Sequence, residues 1–137
     1  MGTARARTSM HVDHIGIATD DADAFADLYD EVFGMDVAHE ETFGGMRVVF
    51  LEADGVYLEA LEPIDETTAI ADYLVENGPG MHHLAFEVEN VDAALQDARA
   101  AGAETIDDEP RPGAWGHTVA FLHPKSTGSV LVEFVEH

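Results

Sequence analysis

The chain has 137 residues, of which 46% are hydrophobic, so it is long enough for one globular core and too short for two independent domains. Its 28 acidic residues against 6 basic ones give a formal net charge of -22, which argues against nucleic acid or an anionic membrane as a partner. The chain contains no cysteine, which excludes disulfides, thiolate metal sites and a cysteine nucleophile.

The acidic residues are spread along the chain rather than gathered in a tail. Self-repulsion of this size destabilises a compact state in dilute buffer, whereas at 1 M salt the Debye length is only about 3 Å. We therefore hypothesise that the protein works in a halophilic cytoplasm. A cytoplasmic location also agrees with the lack of a signal peptide and of an apolar run of roughly 18 residues.

The first part of the chain predicts a module built around one helix. Residues 1–10 are small, polar and basic, and we expect a disordered leader there. HIGIA, from His14, alternates like a strand, and Asp20 and Asp21 can cap a helix over residues 22–33 that ends at Gly34. MRVVFLEA and GVYLEALE predict two strands joined by a hairpin turn at Asp54-Gly55.

The second part predicts the same order of elements. A linking helix over about 66–77 ends at Gly78, LAFEV is a strand, and VDAALQDARAAGA is a helix. The remaining strands are expected around Glu104 to Ile106, in HTVAFLHP and in SVLVEFVE.

The two parts are internal repeats. DHIGIATDDADAF aligns with HHLAFEVENVDAAL and superposes His14 on His83, while VYLEALE aligns with VLVEFVE and superposes Glu59 on Glu133. Each module, about 11–63 and about 81–137, is β-α-β-β-β, and neither can bury its helix and sheet face alone. The sequence thus predicts an α+β fold in which residues 11–137 form one domain with one curved, open eight-stranded sheet around a shared site.

The repeated histidines and glutamates predict a metal site. A carboxylate within VLVEFVE is costly to bury unless it is paired or bound to a metal. Taken singly, a strand histidine is usually structural and a glutamate of this kind usually faces solvent. Their recurrence at matching places favours convergence on one divalent cation, for which zinc, cobalt, nickel, manganese and iron(II) all remain open.

The other histidines are interpreted differently. Strand alternation sends His82 to the face opposite His83, so we interpret it as a packing or hydrogen-bonding residue rather than a ligand. Three histidines near a terminus or strand ends are expected at the surface, namely His11, His39 and His137. His117 and His123 flank a strand, and the sequence leaves open whether either of them contacts the substrate.

Four motifs carry a resemblance to a known family: DHIGIA, the LEP that ends the first module, GPGMHHLAFEV and GAWGHTVAFLHPKSTGSVLVEF. With them the chain resembles the methylmalonyl-CoA epimerase family of the vicinal oxygen chelate superfamily over residues 11–137. The resemblance implies a glyoxalase-like fold and a divalent-metal isomerase, often cobalt-dependent in vitro and usually a homodimer. Such an enzyme interconverts the two C2 epimers of methylmalonyl-CoA, in propionyl-CoA metabolism, through a metal-stabilised enolate.

The resemblance also assigns roles to individual residues. By motif position the metal ligands are His14, Glu59, His83 and Glu133, and Glu133 is the base on one face of the substrate. The second acid/base group is open, because Val48 stands where one family pattern has a glutamate. Glu59 is our hypothesis, since it repeats Glu133; the other candidates are Glu87, a glutamate at Glu40 or Glu41, and a bound water.

The acyl-CoA substrate is polyanionic, which draws attention to the only lysine. Lys125 lies in HPKSTGS, and we expect it to contact a carboxylate or phosphate of the substrate, with further donors from Ser126, Thr127 and the amides around Gly128.

Three other functions share this scaffold. A glyoxalase I-like lyase uses a similar metal set, and an extradiol dioxygenase would use His14, His83 and Glu133 on iron(II). A small-molecule-binding resistance module needs no metal, and the complete ligand set argues against it.

Overall fold

The computed structural model describes residues 10–137. The predicted leader therefore lies outside the described residues, apart from Met10, which is exposed. Strands from both modules join in one eight-stranded sheet with the order β2-β3-β4-β1-β5-β8-β7-β6, which confirms the predicted fold class.

The elements follow the predicted order. The strands are β1 (His11–Ala18), β2 (Val37–Phe43), β3 (Met46–Ala53), β4 (Val56–Pro63), β5 (Gly80–Glu87), β6 (Arg111–Pro112), β7 (Thr118–Leu122) and β8 (Val132–Glu136). The helices are α1 (Ala22–Phe33), α2 (Ala69–Asn77) and α3 (Val91–Ala100). The linking helix α2 is shorter than expected because Thr68 is its N-cap and accepts a hydrogen bond from the backbone N–H of Ala71.

The two modules start their helices in the same way. Asp21 caps α1 and Asn90 caps α3, each through a side-chain oxygen that accepts a backbone N–H of the first turn. A glutamate from the last strand of each module, Glu62 or Glu136, accepts the first N–H of the corresponding helix at 2.8 and 2.9 Å. These acidic groups also interact favourably with the positive end of the helix dipole.

The Asp54-Gly55 turn has the predicted hairpin geometry, with φ values of 49° and 93° at its two central residues. The first strand after the helix of each module differs more from the prediction. Strand β2 has a polar, largely exposed sequence, VAHEETF, whose location the sequence pattern did not give. In the second module the strand expected around 104–106 is only a single bridge from Thr105 to Leu122, and the sheet edge is formed instead by β6.

Because side chains alternate along each strand, the sheet has an outer and an inner face, and both are packed. On the outer face, α1 covers Val49 and Leu51, and α3 covers a second cluster that includes Leu122 and Phe134. The opposite side chains, such as Val48, pack toward α2 and the interior of the curled sheet. This inner face is where the predicted site residues lie.

Candidate metal centre and active site

The four repeated residues lie side by side on the central strands β4, β1, β5 and β8, as Glu59, His14, His83 and Glu133. Their neighbours in the sheet are small. Ala85 lies opposite His14, and Gly16 lies opposite His83. In the parallel pairs, Glu59 is beside Gly16 and Glu133 is beside Ala85, so the two modules contribute equivalent pairs to one point.

Each imidazole presents its Nε2 atom to the carboxylates. His14 Nε2 lies 3.3 Å from His83 Nε2, 3.4 Å from Glu59 Oε1 and 2.9 Å from Glu133 Oε1. His83 Nε2 lies 3.3 Å from each of the two carboxylate oxygens. The ligand atoms of His14, His83 and Glu133 all lie within 4.8 Å of one another, and Glu59 joins this group through both imidazoles.

This cluster fits a divalent cation. Ligand atoms at about 2.1 Å from one metal lie about 3.0 to 3.4 Å apart in octahedral or tetrahedral arrangements, close to the spacings found here. Glu133 Oε1 is buried and has no correctly oriented hydrogen bond from the described residues, although two imidazole nitrogens lie near it. All four residues are at most 7% exposed, which a charged cluster tolerates only when its members are paired or bound to a metal.

The far side of each imidazole is also held. Asp13 Oδ2 lies 2.7 Å from His14 Nδ1, and the other Asp13 oxygen lies 2.6 Å from Nε2 of His137. His82 Nδ1 lies 2.9 Å from His83 Nδ1. Outer partners of this kind fix the tautomer of a histidine so that the other nitrogen is free to bind a metal.

The position predicted for His82 is wrong. A register shift between Gly16 and Ile17 places a β-bulge at His82, so the residue does not follow simple alternation and lines the same cavity as His83. Its interpretation as a packing and hydrogen-bonding residue agrees with the structure, because its ring contacts Tyr73 edge-on in addition to bonding His83.

The pKa values reflect the packed charges. Burial by itself lowers the pKa of each buried imidazole, but bonds to the carboxylates, first of all Asp13, raise the pKa of His14 well above its usual range. Close contacts with the Glu133 and Glu59 carboxylates likewise raise the pKa of His83 to about 9 against the effect of burial. Without a metal these contacts favour the protonated form of both rings, and a cation that binds the Nε2 atoms must displace a proton.

The pKa values of the two carboxylates and of His82 shift in the opposite direction, downward. Burial raises the pKa of Glu59 and of Glu133, but bonds from the two imidazoles outweigh it and lower both values. Burial, with the charge of His83, lowers the pKa of His82 to about 4. His82 is therefore neutral at pH 7, and its Nδ1 can accept the Nδ1–H of His83.

Three members of the cluster, Glu59, His83 and Glu133, line a cavity of about 410 Å³. The remaining lining is mainly apolar, with Met46, Val48 and Leu61 from the first module and Val119 and Phe121 from the second. A short 3₁₀ turn at Ala114–Gly116 reaches from the second module toward the first, where Trp115 stacks on His39 at 4.6 Å between ring centroids. An apolar cavity with a few convergent polar groups is the usual form of a small-molecule site.

The predicted substrate loop lies elsewhere. Lys125 is 3.0 Å from Glu104 in an exposed ion pair, and the Ser126 hydroxyl accepts the backbone N–H of Glu104. Thr127 donates to the carbonyl of Val130, and Gly128 takes a left-handed turn conformation with φ of 71°. All four of these described residues lie outside the cavity lining.

Other candidates for the second acid/base group are engaged away from the cavity. Glu40 is near Arg47, Glu41 pairs with His39, and Glu87 pairs with His11. Glu59 is the one of these glutamates that lines the cavity.

The sequence prediction was also incomplete for the outer histidines. His11 and His137 are exposed as expected, and His137 also bonds to buried Asp13, whereas His39 is half-buried under Trp115. His117 stacks on His137, and His123 accepts a backbone N–H within its own loop; neither lines the cavity. Arg111, which sequence reasoning did not single out, does line it.

Among the described residues, no helix is long and apolar enough to cross a membrane.

Comparisons with known proteins agree with this geometry. Residues 13–121 match the glyoxalase/bleomycin resistance protein/dioxygenase superfamily. The mitochondrial methylmalonyl-CoA epimerase of Dictyostelium discoideum is 36% identical over 91% of this chain and 77% of its own length. The ethylmalonyl-CoA/methylmalonyl-CoA epimerase of Cereibacter sphaeroides is 36% identical over 89% of this chain and 94% of its own.

A solved structure of a methylmalonyl-CoA epimerase is also similar to this chain. A variant of Streptomyces coelicolor methylmalonyl-CoA epimerase, in complex with 2-nitronate-propionyl-CoA, matches with a TM-score of 0.85 and 41% identity. The match covers 91% of this chain and 95% of that one. On its repeated architecture, its site geometry and these matches, the chain belongs to the methylmalonyl-CoA epimerase family within the glyoxalase/bleomycin resistance protein/dioxygenase superfamily.

Proposed function

We propose that the protein is a metal-dependent isomerase that interconverts the R and S forms of methylmalonyl-CoA at C2, as a cytoplasmic enzyme of propionyl-CoA metabolism. The observation that carries the proposal is the convergence of His14, Glu59, His83 and Glu133, of which the last three line an apolar cavity, in a chain of this family. The named activities of the relatives support the same assignment.

The four converging residues are the proposed ligands of one divalent metal per chain. Cobalt(II) is the proposed metal in vitro, and two imidazoles with two carboxylates also suit zinc, nickel, manganese or iron(II). When bound, the cation supplies Lewis-acid stabilisation of the negative charge that develops on the thioester oxygen as C2 loses its proton, an effect worth several kcal/mol.

Epimerisation requires proton removal on one face of C2 and delivery on the other. In the proposed 1,1-proton transfer, the Glu133 carboxylate takes the C2 proton on one face, and Glu59 is the acid/base group of the opposite face, where it passes to C2 a proton taken up from solvent; the roles exchange in the reverse direction. Both side chains line the cavity and come from equivalent strands of the two modules. The apolar walls would exclude bulk water from the carbanionic species.

The test combines metal analysis with incubation of methylmalonyl-CoA in heavy water. We expect deuterium at C2 and loss of optical purity, both abolished by a chelator and restored by cobalt(II). No exchange, together with turnover of a glutathione hemithioacetal or a catechol, would move the assignment to a lyase or a dioxygenase.

Variants of the two glutamates test their roles separately. Glu133→Gln should abolish exchange, whereas Glu59→Gln should retain exchange on one face and lose epimerisation. If Glu59→Gln retains metal and full epimerisation, Glu59 is not the second acid/base group.

Two further parts of the proposal concern binding partners. Lys125, with Ser126, Thr127 and Gly128, is the proposed contact for acyl-CoA outside the cavity, and Lys125→Ala should then raise KM; an unchanged KM would reject this contact. A homodimer is proposed, in line with the exposed apolar side chains of Leu28 and Val32 on one face of α1, and light scattering after gel filtration measures it.

A further inference from the structure

The positive charges of this acidic protein are mostly engaged at the surface. Of the four basic side chains among the described residues, Arg47 pairs with Asp23 at 2.7 Å and Lys125 pairs with Glu104 at 3.0 Å. Arg99 donates to the Asp107 and Asp108 carbonyls. The fourth, Arg111, is the one that lines the cavity.

Arg111 is held so that only part of its guanidinium is used. Its Nε donates to Asp107 Oδ1 at 2.9 Å, and the other Asp107 oxygen accepts the backbone N–H of Phe121 at 2.8 Å. No partner for the two terminal amino groups of Arg111 is found within residues 10–137. Because Asp107 is fixed to β7 at the same time, it orients the guanidinium rather than merely neutralising it.

The position of Arg111 connects it to the metal centre. Its guanidinium carbon lies 5.5 Å from the centroid of the Phe121 ring, over the ring face. The same ring meets His83 edge-on at 5.4 Å. A single aromatic ring thus separates the free amino groups of Arg111 from a proposed metal ligand.

We propose that Arg111 is the anion-binding residue of the cavity and that its two terminal amino groups bind an oxyanion of the acyl-CoA substrate. The inference rests on the proposed function and extends it to substrate recognition. A planar guanidinium with two parallel donors matches a carboxylate or a phosphate, which are the two anionic groups of methylmalonyl-CoA. The side chain is 47% exposed, so it can be reached without a large rearrangement.

Charge favours such a residue. The proposed divalent cation would only balance the carboxylates of Glu59 and Glu133 in the cavity, while the chain as a whole carries a formal net charge of -22. A polyanionic substrate is repelled by this field unless a local cation compensates. Arg111 supplies that cation beside the site, whereas the ammonium group of Lys125 lies outside the cavity.

The experiment compares Arg111→Ala and Arg111→Lys with Arg47→Ala, which removes a like charge from the surface. Initial rates are measured with methylmalonyl-CoA and with methylmalonyl-pantetheine, which lacks the phosphates. We expect Arg111→Ala to raise KM for methylmalonyl-CoA about tenfold or more, as the loss of a charge-assisted hydrogen bond implies, and Arg47→Ala to change it less than twofold. Arg111→Lys should recover only part of the loss, because it keeps the charge but not the paired donors.

The two substrates identify the group that is bound. An equal rise in KM for both thioesters assigns Arg111 to the carboxylate, and a rise confined to the CoA thioester assigns it to a phosphate. An unchanged KM in Arg111→Ala, with wild-type metal content and melting temperature, overturns the inference. If the wild-type protein itself fails to turn over either thioester, the proposed function fails first, so the two failures are distinguishable.

Discussion

The substitution Gly16→Ala tests how the metal centre is built. Gly16 lies opposite His83 in the β1–β5 pair, and a Cβ added there would lie 2.1, 2.3 and 2.7 Å from three atoms of the His83 ring. Ordinary van der Waals contact begins near 3.4 Å, so the ring must move by about 1 Å or more. The conflict is with the ring itself, because the Gly16 backbone does not have the left-handed φ that disfavours alanine.

The expected magnitude follows from the spacing of the ligand atoms. His83 Nε2 lies 3.3 Å from both carboxylates and from His14 Nε2, and a shift of about 1 Å takes it out of the coordination distance of a shared cation. We expect the affinity for cobalt(II) to fall at least 100-fold. Overpacking should also lower the free energy of unfolding of the chelator-treated protein by about 1–3 kcal/mol.

The assay is a cobalt(II) titration by calorimetry, with urea unfolding of the chelator-treated protein. A double-mutant cycle with His83→Ala provides the control, since removing the ring removes the conflict. In the His83→Ala background, Gly16→Ala should lower the free energy of unfolding by less than it does in the wild-type protein. Wild-type metal affinity and stability in the single Gly16→Ala variant would refute the proposed packing of His83 over Gly16.

Three further predictions concern the electrostatics. Asp13→Asn removes the carboxylate that holds His14 Nδ1, so cobalt(II) affinity should fall about 10- to 100-fold in calorimetry; an unchanged affinity would mean that Asp13 does not support the ligand. In the chelator-treated protein, His83 has a pKa of about 9 in the folded state against an ordinary histidine pKa of 6.5, so its stabilising contribution is complete below pH 6.5 and is lost as pH rises through 9. Urea midpoints should therefore decrease from pH 7 to 9, and a flat or rising curve contradicts the shift. The melting temperature should rise with KCl if the charge of -22 reflects a halophilic cytoplasm, and full stability at low salt would remove that hypothesis.

Much of the site was predictable because it depends on repetition and local periodicity. The two repeats placed His14 with His83 and Glu59 with Glu133, and the strand pattern gave each residue its face. Helix starts were equally accessible, since Asp21 caps α1 through bonds to residues close in sequence. These features need only the local chain and the symmetry of the two modules.

The features that the sequence did not reveal depend on contacts between distant segments. His82 was assigned to the wrong face because the bulge opposite Gly16 exists only when β1 and β5 pair. Lys125 looked like the available cation, but in the fold it pairs with Glu104 outside the cavity.

The residues alone therefore determined which four side chains converge, since an internal repeat constrains them wherever the modules pair. Only the tertiary structure decided which polar groups surround them. Arg111 reaches the cavity because the second module's edge strand is formed by residues 111–112 rather than by those around Thr105, and because Asp107 joins the arginine to β7. Strand register and ion-pair choice are set by long-range packing, which leaves no periodic signal in the chain.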